Sequence, residues 1–202
     1  ITPDELAGLA CETDKSRIVL EKGGKTAWEV RHGPFTERSF TRLPKTHWTL
    51  LVNDTEQLIP ELSRIIQPFR FIPDWRIDDL MISFAVDGGS VGPHIDQYDV
   101  FLIQGYGKRH WKISDQIMEE PALIPDIDLC ILETFSAQYD WVLEPGDMLY
   151  LPPNIAHYGV ALGECMTYSV GFRAPNQAEI LEEWVQTILA QPSSQQRYRD
   201  HH

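Results

Sequence analysis

His94 and Asp96 stand two residues apart in GPHIDQYDVF, and His157 follows the turn-rich stretch EPGDMLYLPPNIAHYG. Residues i and i+2 of an extended segment project to one side, so one imidazole and one carboxylate enter the same space while Ile95 faces away. The preceding Gly88-Gly89-Ser90-Val91-Gly92-Pro93 lets the backbone turn sharply at a strand mouth. Glu144-Pro145-Gly146-Asp147 reads as a tight turn, Asp147 to Leu151 as a buried strand and Pro152-Pro153-Asn154 as its end, so His157 opens the next strand. Two histidines and one carboxylate form the facial triad of non-haem Fe(II) sites. Three protein ligands hold one face of an octahedron and leave the other face open for a co-substrate and dioxygen. With a single carboxylate the loaded site keeps a net positive charge, which attracts an anionic co-substrate.

Arg109 lies in KRHWKI, fifteen residues after His94. Strand alternation places Arg109, Trp111 and Ile113 on one inner face. A guanidinium among apolar neighbours is costly unless paired. A ligand carboxylate would pair it through a bidentate fork, and a protein carboxylate is the competing partner. His32, His47 and His110 have no carboxylate or histidine at ligand spacing and read as structural.

The elements that must position these groups are short. TPDELAGLA at residues 2–10 has a Thr cap, a Pro at the first helical position and early acids, which predicts a helix. RIVLE (17–21), TAWEV (26–30) and HWTLLV (47–52) read as strands. The spacing of Leu58, Leu62, Ile65, Ile66 and Phe69 predicts one helix over 54–69, capped by Asp54 and tolerating Pro60. Seven short β runs follow: 79–86, 98–104, 108–113, 139–144, 147–152, 156–162 and 165–172. Turns at Gly88-Gly89, Gly105-Tyr106-Gly107, Pro145-Gly146 and Gly163 separate them, which predicts an antiparallel sandwich or barrel. A helix from Gln177 carries Ile180, Leu181, Trp184, Val185, Ile188 and Leu189 on one face, and SSQQRYRD beyond it reads as a polar linker.

The chain has 202 residues, 43% of them apolar, which suits one ordered domain with a sizeable core. Thirty acidic residues against seventeen basic ones give a formal charge of −13. That balance opposes direct binding of a nucleic-acid backbone and favours a basic partner. Cys11, Cys130 and Cys165 are widely spaced and form no C-x-x-C pair, so neither a disulfide framework nor a zinc knuckle is expected, and a reducing cytoplasm is the default. No apolar run approaches the roughly 18 residues of a membrane span. No secretory leader opens the chain, its first residue is Ile1, and His201-His202 reads as a tag remnant, so the natural protein is expected to extend past both ends.

DWRIDDLMISFAV, GPHIDQYDVFLIQGYGKRHW, EPGDMLYLPPNIAHYG and TYSVGFRAPN resemble the bacterial ribosomal oxygenases of the JmjC branch of Fe(II)/2-oxoglutarate oxygenases. The likeness runs from about Asp4 to about Ala190 and is dense from Asp74 to Asn176. It implies a mainly β fold with flanking helices, a double-stranded β-helix of jelly-roll or cupin-like form. Residues 1–73 would be N-terminal flanking strands and helices, 74–174 the JmjC core, and 175–200 the start of a helical dimerisation region. It implies Fe(II), 2-oxoglutarate and O2, with His94, Asp96 and His157 as iron ligands. Arg109 would meet the distal carboxylate of 2-oxoglutarate, Ser83 would add a further contact to it, and Tyr106 would approach the protein substrate. The implied reaction is 3-hydroxylation of an arginine in a basic large-subunit ribosomal protein, with release of succinate and CO2, by a cytoplasmic enzyme that is a homodimer at full length. Competing readings are histidinyl hydroxylation of a ribosomal protein, lysine demethylation, a cupin-type metalloenzyme of another class, and a non-catalytic binding barrel.

Overall fold

Thr2 starts the first helix, α1 (Pro3–Glu12), by a reciprocal cap: Glu5 N–H donates to Thr2 Oγ1 at 3.2 Å, and Thr2 N–H donates to Glu5 Oε2 at 2.7 Å. The computed structural model to which these distances belong describes residues 1–23, 28–118 and 121–191. The helix buries Leu6 and Ala10 against β1 (Ser16–Glu21), β3 (Trp48–Val52) and β4 (Ile77–Ala85). β2 (Trp28–His32) pairs with β1 on its outer side; the expected strand over 26–30 falls partly outside the described residues. A single-turn helix, α2 (Glu37–Phe40), lies between β2 and β3.

The strands after β4 build two facing layers. β5 (Asp99–Ile117) and β8 (Ile155–Phe172) are long and pair along most of their length. Their first layer, with β7 (Met148–Leu151), continues through β4, β3, β1 and β2. Their other halves form the second layer with β6 (Tyr139–Leu143) on one side and residues 88–94 on the other. Gly88 N–H donates to Ala161 O, and His94 and His157 exchange both backbone hydrogen bonds, at 3.0 and 2.9 Å. This is a double-stranded β-helix, as the resemblance implied.

Alternation sorts the first layer's side chains. Ile18, Leu50, Leu80, Ile82 and Phe172 face the helices and form the main core. Leu51, Ser83, Thr167 and Gln104 face the space between the layers. Each buried aliphatic side chain contributes about 1.5–3 kcal/mol, so the outer face carries the stability and the inner face is free to be polar.

Several expectations need correction. Residues 54–69 are not one helix: α3 (Thr55–Leu58) ends at an extended Ile59, a 3₁₀ turn spans Pro60–Leu62, α4 (Ser63–Ile66) follows, and a second 3₁₀ turn covers Gln67–Phe69. Pro60 has no N–H to donate and its ring collides with the carbonyl of Glu56, so the ladder breaks there. Asp54 sits in the left-handed region at φ 54° and caps nothing with its side chain, which pairs with Lys15 at 2.6 Å. The strand from Met148 is not buried either, since Met148 and Tyr150 face outward and about half exposed. Residues 105–107 and Gly163 do not end strands; they are irregularities inside β5 and β8, where both strands cross from one layer to the other.

Gly107 makes that crossing possible. Its φ is +61°, and a Cβ there would lie 2.0 Å from the carbonyl oxygen of Glu164. Gly107→Ala is expected to cost about 1–3 kcal/mol from the backbone conformation alone, and more from the clash. Urea unfolding would show it as a lower midpoint; an unchanged midpoint would mean the crossing bends elsewhere.

α5 (Gln177–Leu189) begins with a second reciprocal cap between Asn176 and Glu179. The apolar face expected of it is present and largely uncovered, with Trp184 61% and Leu181 60% exposed. The linker read at 193–200 and the histidine pair beyond it lie outside the described residues. No helix among the described residues is long and apolar enough to cross a membrane.

Candidate metal centre

The mutual backbone pair of His94 and His157 sets their side chains on one face of the second layer, with ring centroids 4.2 Å apart. Asp96 follows two residues on, held by a backbone bond from Asn154 N–H to Asp96 O at 2.8 Å. One ligand atom from each of the three lies within 4.8 Å of the others. His94 Nδ1 is 2.9 Å from Gly92 O, and His157 Nδ1 is 3.0 Å from Ile155 O. A carbonyl only accepts, so each Nδ1 carries the proton and each Nε2 keeps its lone pair. That backbone support is what a histidine needs to present Nε2 to a metal. The three donors therefore suit one divalent ion with an open face.

Burial is the first cause that pushes the His157 pKa down, to about 4; the neighbouring His94 adds to it and Asp96 opposes it. Neutral imidazole is the form that binds a metal. The shift has a stability consequence for the metal-free protein. Unfolded His157 takes a proton near pH 6.5, whereas the folded form resists until about pH 4. Between those values the unfolded state binds more protons, so folding stability falls as pH drops through this window and is fully present above it. Urea midpoints from pH 7.5 to 4.5 are expected to fall more steeply in the wild type than in His157→Gln. Parallel slopes would refute the depressed pKa.

Arg109 lies deeper in the same cavity, 4% exposed, on the inward row with Trp111 and Ile113. Its guanidinium carbon is 5.8 Å from the Trp111 ring centre. Its Nε and Nη2 are buried without a hydrogen-bond partner. The competing expectation of a protein carboxylate partner is thereby removed among the described residues. Ser83 lies on the opposite wall, 3% exposed, its hydroxyl donating weakly to Thr167 O at 3.4 Å. Thr167 in turn donates to Gln104 Oε1 at 3.2 Å, and Gln104 Nε2 donates to Tyr106 O at 2.8 Å.

The cavity measures about 820 Å³. It brings His94, Asp96, His157, Arg109 and Ser83 together and leaves out Tyr106, which stands 50% exposed on the β5 irregularity. It also holds residues that the sequence did not single out. Asp79 Oδ2 accepts from Asn53 Nδ2 at 2.8 Å and from Asp54 N–H at 3.2 Å, so the link between β3 and α3 anchors it. Its Oδ1 and the Tyr98 ring both border Gly171, where a Cβ would lie 3.6 Å from the one and 3.7 Å from the other. Desolvation raises the Asp79 pKa, with Asn53 and Asp54 opposing. Burial first, then Asp96 and Asp79, push the Tyr98 phenol upward, so it stays a hydrogen-bond donor. Tyr98 continues the i, i+2 series from His94 and Asp96, which is the signal that could have found it.

Residues 64–180 match the JmjC domain family. The chain belongs to that family. It is 47% identical over 201 residues to the ribosomal protein uL16 3-hydroxylase of Escherichia coli K12, covering 99% of this chain and 52% of that protein. It is 39% identical over 181 residues to a probable ribosomal oxygenase of Haemophilus influenzae, covering 89% and 45%. The solved structure of YcfD, a ribosomal oxygenase from E. coli in complex with cobalt and 2-oxoglutarate, superposes with a TM-score of 0.86 at 46% identity, covering 99% of this chain and 51% of that one. The chain spans about half the length of the curated relatives it matches. The matched JmjC segment contains the triad, Arg109, Ser83, Asp79 and Tyr98, whereas Arg17 comes from a strand before it.

Proposed function

We propose that this JmjC domain is the catalytic unit of an Fe(II)- and 2-oxoglutarate-dependent hydroxylase that modifies an arginine side chain, at C3, in a large-subunit ribosomal protein. The convergence of His94, Asp96 and His157 on one point, above an unpaired buried Arg109, carries the reading. The cobalt and 2-oxoglutarate of the E. coli structure and the uL16 activity of the E. coli relative support it.

His94 and His157 would each offer Nε2, and Asp96 one carboxylate oxygen. Bound there, Fe(II) with 2-oxoglutarate supplies the dioxygen chemistry that converts one C–H to C–OH and yields succinate and CO2. Arg109 holds the far carboxylate of the co-substrate by its vacant N–H groups. Ser83 adds a hydroxyl on the facing wall. Trp111 and the apolar residues around Arg109 keep water from that ion pair. Asp79 and Tyr98, beside Asp96, suit a guanidinium: the carboxylate supplies the countercharge and the ring a surface for it to stack on. A neutral imidazole would leave Asp79 uncompensated, which favours arginine over histidine as the target. Tyr106 is kept as an outer contact for the protein substrate.

The chain's charge of −13 suits capture of a basic ribosomal protein. The uncovered apolar face of α5 supports a homodimer in the full-length protein. A ribosomal protein target suits a cytoplasmic enzyme. Residues 1–73, 74–174 and 175–200 remain our division into flanking region, JmjC core and helical region.

Full-length protein, Fe(II), 2-oxoglutarate and an arginine-containing uL16 peptide test the reading together. The expected result is a gain of about 16 Da on one arginine with matching succinate, since one oxygen atom enters the side chain. Succinate without a mass shift would discard the substrate, and neither signal would favour a cupin of another class. Asp79→Asn is expected to raise the peptide KM at least tenfold while leaving the co-substrate KM unchanged, because a charge-assisted bond is worth about 1.5–3 kcal/mol. Equal peptide KM values would place the countercharge elsewhere.

A further inference from the structure

The cavity contains a second arginine that neither the metal centre nor the co-substrate uses. Arg17 projects from β1, in register with Leu51 on β3, which faces Ser83 on β4, then Thr167 on β8 and Gln104 on β5. Side chains in one cross-strand row share a face, so Arg17 rises from the same wall as Ser83, and it lines the cavity. Its Nε is buried without a hydrogen-bond partner, and its side chain makes no hydrogen bond or ion pair among the described residues. Asp78, Asp79 and Asp128 line the same cavity, yet none of them forms an ion pair with it. Arg17 is half-buried and only its Nε is withdrawn from water, and a guanidinium can only donate.

The co-substrate does not answer that vacancy. Chelated at the triad, it has one free carboxylate, and the fully buried Arg109 on β5 is the deeper taker. Arg17 stands at the opposite end of the row, two strands or about 10 Å from Ser83. Arg17, Asp79 and Tyr98 line one cavity, and the last two both border Gly171. A substrate whose cationic side chain lodged against Asp79 would carry its main chain through the same cavity, where a carbonyl oxygen is an acceptor that a guanidinium can meet.

We infer that Arg17 is a positioning residue for the protein substrate, donating from its guanidinium to a main-chain carbonyl beside the hydroxylated residue. The inference rests on the proposed hydroxylase reading and adds to it a contact from β1, a strand that precedes the matched JmjC segment. Arg17 fixes where along the substrate the cavity opens, while Asp79 selects the side chain.

The test uses full-length wild type, Arg17→Met and Arg17→Lys, with the arginine-containing uL16 peptide as probe. Calorimetry reads peptide binding, and thermal shift reads 2-oxoglutarate binding. The expected result for Arg17→Met is a peptide Kd weakened about tenfold or more, with the 2-oxoglutarate response unchanged. Arg17→Lys, which keeps the charge and loses the fork, should recover part of the loss and guards against a folding defect. A weakened 2-oxoglutarate response in either variant would assign Arg17 to the co-substrate and overturn the inference. Equal peptide binding by wild type and Arg17→Met would overturn it while sparing the hydroxylase reading. A wild type that turns over 2-oxoglutarate but binds no peptide would remove the substrate reading and this inference with it.

Discussion

Asp96→Ala is expected to abolish hydroxylation and to weaken metal binding by more than about 100-fold, because even partners behind the ligands are worth 10–100-fold. Asp96 brings the only carboxylate of the triad, beside the two imidazoles of His94 and His157. Without it a divalent ion meets two neutral donors, and the site loses both a ligand and the charge that offsets the ion. The fold should survive. The backbone bond from Asn154 to Asp96 O does not involve the side chain, and the carboxylate lies 3.6 Å from His157 Nε2, too far for a hydrogen bond. The measurements are succinate release and the rise in melting temperature on adding Co(II). The wild type should show both and the variant neither, with equal melting temperatures in chelator. Retained activity would refute the ligand assignment and direct attention to Asp79, the nearby carboxylate on the same cavity.

Arg109→Met has two effects of opposite sign. Two charge-assisted bonds at about 1.5–3 kcal/mol each make the 2-oxoglutarate KM about 100-fold higher or more, since 1.4 kcal/mol is a factor of ten. The ligand-free protein should meanwhile be no less stable than wild type. Arg109 is 4% exposed with Nε and Nη2 unsatisfied, and an apolar side chain of similar length removes that unpaired charge from the cavity. Wild type gains stability as 2-oxoglutarate is added, by mass action, and the variant should not. A variant that melts lower and still responds to 2-oxoglutarate would show that Arg109 supports the fold and that another group holds the co-substrate.

The triad was legible because its signals are local. An i, i+2 pair after a glycine-rich turn has one projection, whatever surrounds it, and the alternation of Arg109, Trp111 and Ile113 survived as an inward row. Asp79 was hidden because its role depends on a contact across 25 residues of chain, in which Asn53 and the Asp54 N–H, from the link between β3 and α3, donate to its carboxylate. The periodicity of residues 54–69 favoured one helix, and Pro60 overrode it. Arg17 was hidden because β1 is distant in the chain from every residue of the triad.

By itself the chain determined its β character, the capped first helix, the apolar face of the last helix, the metal-ligand set and the inward placing of Arg109. Those follow from alternation, periodicity and capping chemistry, all readable over a few residues. Only the tertiary structure decided that β5 and β8 run on through Gly107 and Gly163 from one layer into the other. Only it decided that His94 faces His157, and that Asp79, Tyr98 and Arg17 share their cavity. Pairing register is a property of two strands, and a left-handed glycine bends one strand or ends it according to what lies beside it.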